Sequence, residues 1–73
     1  MIVVNMPLKR EYVKELLHGQ TYEGITFELV RQENMKMFFH ATEDTERAAS
    51  VVKKVIKESP LGPALFFMVS HEE

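Results

Sequence analysis

The sequence predicts an α+β fold, a two-layer sandwich in which two helices cover one face of an antiparallel sheet. Three observations lead there. Two stretches carry an apolar stripe at helical spacing, one stretch alternates apolar and polar residues through a turn and back, and two short apolar runs bracket them. The 73 residues, 45% hydrophobic and 27% charged, make one domain, residues 1–73, because so short a chain has material for a single core. The three Gly and three Pro are scattered singly and fall where elements begin or end, so no linker or low-complexity tract divides the chain.

Residues 1–4 are apolar without polar alternation, which fits a short central strand contacted on both faces. Asn5 can cap a helix with Pro7 in its first turn, where a missing N–H costs nothing. Over residues 8–18 the apolar positions Leu8, Tyr12, Val13, Leu16 and Leu17 form one stripe among charged residues. His18 lies in the last turn as a cation suited to the helix dipole, and Gly19 supplies the left-handed residue that ends it. After a polar turn at Gly24, Ile25, Phe27 and Leu29 alternate with Thr26 and Glu28. Residues 32–34 turn the chain, and Met35, Met37, Phe39 and Ala41 alternate with Lys36, Phe38, His40 and Thr42, so the two segments pair as a hairpin with the odd-numbered side chains on the core face.

Asp44 or Thr45 can cap a second helix, acidic in its first turn and basic at Lys53, Lys54 and Lys57, which matches the helix dipole. Ala48, Val51, Val52, Val55 and Ile56 are its apolar face, and Ser59-Pro60 stops it. Residues 64–69 then form a continuous apolar run, read as the last strand. The order strand, helix, strand, strand, helix, strand closes, with right-handed crossovers, as a ferredoxin-like βαββαβ domain: a four-stranded antiparallel sheet, the first and third strands central, both helices on one face.

That arrangement leaves one sheet face bare. With Phe27, Leu29, Met37 and Phe39 turned to the helices, the open face receives Thr26, Glu28, Val30, Lys36, Phe38 and His40. The outer runs are apolar at both parities, so Val3 and one of Phe66 and Phe67, with Met68, join it. A bare apolar strip of several hundred Å² is more than monomers usually expose. The expected function is therefore a small non-catalytic protein-interaction module, a homodimer formed through the open sheet face or the edge of the last strand, with Val3, Val30, Lys36, Phe38, His40, Phe66, Phe67 and Met68 at the interface. An unidentified protein partner is the other occupant this surface allows.

No chemistry-bearing pattern competes with that reading. Without cysteine there are no disulfides, thiol nucleophiles or thiolate metal sites, and no HExxH, EF-hand or phosphate-cradling glycine motif occurs. His40 has Glu28 or Thr26 within reach but no nucleophile beside it, and His71 sits in a polar tail. The expectation is no enzyme, no metal and no cofactor. A net charge of -2 and a pI near 5.9 argue against nucleic acid and anionic membranes, and no apolar run approaches the roughly 18 residues of a membrane span. A cytoplasmic location is expected.

Residues 2–7, Ile-Val-Val-Asn-Met-Pro followed by a helix, resemble the opening of an RNA-recognition motif, and residues 39–55 are similar to the end of its third strand and its second helix. The resemblance implies single-stranded RNA stacked on Phe38 with Lys36 beside it. Met37-Phe38-Phe39 departs from the motif by lacking its Lys/Arg-Gly opening, so this is a second reading. A small-molecule-binding regulatory domain is a third, and Asn5-Met6-Pro7 lacks the glycine turn such sites use.

Overall fold

The computed structural model describes residues 1–72. Its centre is the strand β1 (Ile2–Asn5), which pairs antiparallel on one side with β4 (Lys36–Ala41) and on the other with β5 (Met68–His71). Ile2 and Val4 face a core that gathers Phe27, Met37 and Phe39 from the sheet with Val13 and Leu17 of α1 (Arg10–Leu17) and Ala48, Val52 and Ile56 of α2 (Glu46–Glu58). One cluster thus takes side chains from both helices, as the apolar stripes require. The fold is α+β, two helices on a curled antiparallel sheet of strand order β2-β3-β4-β1-β5, where β2 is Thr21–Tyr22 and β3 is Ile25–Glu33.

The sheet has five strands where the sequence suggested four. The added strand, β2, is the two-residue arm of a tight hairpin whose central residues, Glu23 (φ 51°) and Gly24 (φ 81°), both lie in the left-handed region. That is the geometry of a two-residue hairpin turn matched to strand twist. Glu at the first central position is a poor cue for it, so residues 20–24 read as plain loop.

The first helix begins later than expected. Asn5 does not cap it but stays in β1, opposite Lys36 and Met68. Pro7 disfavours helical backbone at Met6, whose N–H instead donates to the Met35 carbonyl at 2.8 Å and whose side chain is buried. Arg10 reaches back to donate to the carbonyls of Met6 (3.0 Å) and Pro7 (2.8 Å), and Lys9, at φ 63° and ψ 34°, turns the chain into α1. Leu8 therefore lies outside the apolar stripe and is exposed.

Other expected boundaries shift for equally local reasons. The hairpin turn is Asn34 and Met35 rather than residues 32–34, because Glu33 and Lys36 still pair; Met35 consequently leaves the core face. Thr45 holds the N-cap position of α2, yet its hydroxyl donates to Glu43 and Asp44 is taken by His71, so neither side chain caps. The run 64–69 is not one strand. Gly62–Ala64 curls into a 3-10 turn, with the Ala64 N–H donating to the Leu61 carbonyl, and β5 starts only at Met68. Gly62 is required there by close approach, since a Cβ would lie 2.2 Å from the Lys57 carbonyl oxygen and 2.4 Å from that of Ile56.

Phe39 is, with Phe27, among the largest fully buried side chains of this core, on the strand between β1 and β3. Phe39→Ala should cost about 3 to 5 kcal/mol, as much as a core of this size supplies. Urea denaturation followed by circular dichroism should find that variant largely unfolded in buffer; a transition resembling the parent's would show that the core tolerates the cavity.

Candidate functional site

Alternation along β3 breaks at one residue. The register with β4 slips between Leu29 and Arg31, so Val30 is bulged out and half-exposed, and Arg31 takes the place opposite Phe38 that an unbroken register would give Val30. The Arg31 guanidinium lies 4.0 Å over the centroid of the Phe38 ring, a cation–π contact that leaves Phe38 8% exposed. Arg31 is itself paired with Glu33. The next row neighbour, Val3, sits between Phe38 and Ser70 and is buried. The face of the sheet away from the helices therefore carries a polar row, with Lys36 and His40 exposed, rather than a bare aromatic strip.

His40 stands opposite Glu28, as the hairpin predicts, but no hydrogen bond joins their side chains among the described residues. His18 does more than sit at a helix end: its Nδ1 accepts the Leu29 N–H at 2.9 Å, a role open only to the unprotonated nitrogen, and so ties α1 to the start of the bulge. His71 meets Asp44 at 3.0 Å, joining β5 to the approach of α2, and the amino-terminal ammonium shares that carboxylate. Among the described residues, no three His, Asp or Glu side chains converge to hold a metal ion, and no helix is long and apolar enough to cross a membrane.

The uncovered apolar surface is at the end of the sheet where β1 leaves and β5 enters. Leu65, Phe67 and Val69 turn inward against the core while Phe66 and Met68 point out, 86% and 72% exposed. Phe67 is thus an anchor that also lines one of the two grooves beside Phe66. Phe66 stands between two grooves. One is lined by Pro7, Leu8, Leu61, Ala64 and Leu65 with Lys9 at its rim; the other runs past Asn5, Pro7 and Met35 to Met68. Leu8 is 74% exposed, and Met35 and Leu61 are also uncovered. The outer edge of β5 has no strand partner among the described residues.

Of the expected interface residues, the structure brings Phe66 and Met68 to this surface, buries Val3 and Phe38, and leaves Val30, Lys36 and His40 exposed on the polar face. Leu8, Leu61 and Met35 were missed. The available signal was Pro7: a helix delayed past it throws Leu8 clear of the stripe. No protein-family model, curated protein or solved structure matches this chain.

Two outcomes follow from the charges and backbone here. Arg47 hydrogen-bonds Glu43 and, with Thr45, holds its carboxyl below the ordinary value of 4.5; the amino terminus, with help from His71, lowers Asp44 below 3.8. Depressed carboxyl groups contribute stability above their unfolded values that is lost as pH falls through the folded ones, so the melting temperature should drop on acidification below about pH 4.5. Glu43→Gln should flatten that drop; an unchanged profile would assign it elsewhere. Lys9 is a side-chain-bearing residue in the left-handed region, which costs roughly 1 to 2 kcal/mol, so Lys9→Gly should stabilise by up to about 1 kcal/mol after its added chain entropy. A lower melting temperature for Lys9→Gly would show that the Lys9 side chain makes contacts worth more than the strain.

Proposed function

We propose that this protein is a small non-catalytic interaction module that self-associates as a homodimer through β5 and the apolar end of the sheet. The observation that carries this reading is Phe66, 86% exposed beside Met68, Leu8 and an unpaired strand edge. Phe38 under Arg31 and the buried Val3 speak against the sheet face as the contact, and they equally disfavour RNA stacking on Phe38, which would have to displace Arg31. In the same reading the four longer strands, ordered β3-β4-β1-β5, follow the ferredoxin-like pattern with β2 as an edge addition, and the protein resides in the cytoplasm.

Unpaired strand edges and large apolar patches favour pairing with a second surface, and a two-fold axis supplies one from the same chain. Light scattering coupled to gel filtration at micromolar concentration should give twice the 8.5 kDa chain mass. Met68→Glu, at a side chain too exposed to matter to the fold, should return the mass to that of one chain with an unchanged far-ultraviolet spectrum. A parent protein that stays at 8.5 kDa to high micromolar concentration defeats the reading.

A further inference from the structure

The self-association reading above leaves open how two copies would fit, and the surface around Phe66 supplies a specific answer. The groove at this end, with Phe66 itself as one wall beside Pro7, Leu8, Leu61, Ala64 and Leu65, has a volume of about 180 Å³. An apolar cavity of about 150 Å³ is enough to take a benzene ring. The chain's most exposed large apolar side chain is itself a phenyl group, and it stands on the rim of that groove. Knob and hole side by side on one face are self-complementary: a two-fold axis passing near Phe66 seats each ring in the other copy's groove in a single operation.

Backbone placement and area fit the same arrangement. Phe66 lies between Leu65 and Phe67, both partly buried against the core, and follows the 3-10 turn at Gly62, so its backbone is tied to the core on either side. Taking roughly 150 Å² for a large apolar side chain, the exposed parts of Phe66, Leu8, Met68, Met35 and Leu61 offer on the order of 500 Å² per copy. With all of that area covered, two copies would bury on the order of 1,000 Å², the lower limit for a specific interface, using about a tenth of the 4591 Å² surface of each. We propose that this groove is a phenyl-binding site whose occupant is Phe66 of a second copy of the chain, docked reciprocally.

Two variants separate knob from hole. Phe66→Ala removes the ring and with it one wall of the copy's own groove, keeping the walls from Pro7, Leu8, Leu61, Ala64 and Leu65; Leu8→Glu keeps the ring and places a charge in the groove, at a side chain exposed enough to leave the fold intact. With each ring behaving as an interface hot spot, either variant alone should weaken the dimer by about 30-fold per lost contact, roughly 1,000-fold for the two. Mixing them restores one intact contact, since the Leu8→Glu copy supplies a ring and the Phe66→Ala copy an open groove. The mixed dimer should therefore form in preference to either homodimer, at about 30-fold below parental affinity, measured by sedimentation of differently labelled copies. A parental dimer that Phe66→Ala leaves intact overturns the groove assignment while sparing self-association, and so does a failure of the two variants to complement. A monomeric parent removes both; if N-acetylphenylalanine amide then perturbs the amide resonances of Leu61 and Leu65, the groove takes a phenyl group from a foreign protein and the second copy is excluded.

Discussion

Arg31 over the ring of Phe38 closes the face of the sheet that the helices leave open, and the distribution of surface on the whole domain depends on it. Among the described residues, two helices and one curled sheet supply no further element to cover the sheet face that Val3 and Phe38 share. One bulge, at Val30, swings a long cationic side chain into register with Phe38, and the stem and guanidinium of Arg31 cover that ring. With Val3 and Phe38 covered within the chain, the exposed large apolar side chains apart from Val30 lie at the end of the sheet, around two grooves that share Phe66.

Much of the architecture was legible in the sequence because it rests on periodicity. The stripe of α2, the alternation of Phe27 with Met37 and Phe39, and the two-sided apolar character of β1 each report a burial pattern directly. The differences arise where one residue overrides a pattern. Val30 shifts every later position of β3 by one, which parity cannot foresee. Pro7, through Met6, delays α1 and exposes Leu8; Gly62-Pro63 curls a run whose composition reads as strand. The candidate site inherits these surprises. Phe66 and Met68 were visible as excess apolar residues, whereas the groove beside them is built by Leu8 and Leu61, whose exposure depends on where two neighbouring turns begin.

The same few residues serve structure and surface. Leu65 and Phe67 add to a core that has little to spare, and by doing so they fix the direction of Phe66. Arg10 satisfies the carbonyls of Met6 and Pro7, and in holding that loop it also sets one wall of the groove. Such sharing is expected where one small cluster of buried residues must both stabilise the domain and position its exposed apolar side chains.

The pairing of β1 with β5 also governs how the chain reaches its fold. Ile2 lies opposite His71 in the finished sheet, so the ladder that completes the central strand joins residues nearly seventy positions apart. Pairings of such high contact order are slow, because loop-closure entropy is spent before the contact forms. On the ribosome the local β3–β4 hairpin is free to assemble early, while one flank of β1 stays open until residue 71 has left the exit tunnel. For this molecule the native sheet is completed only once residue 71 has emerged, and until then the central strand keeps one open edge.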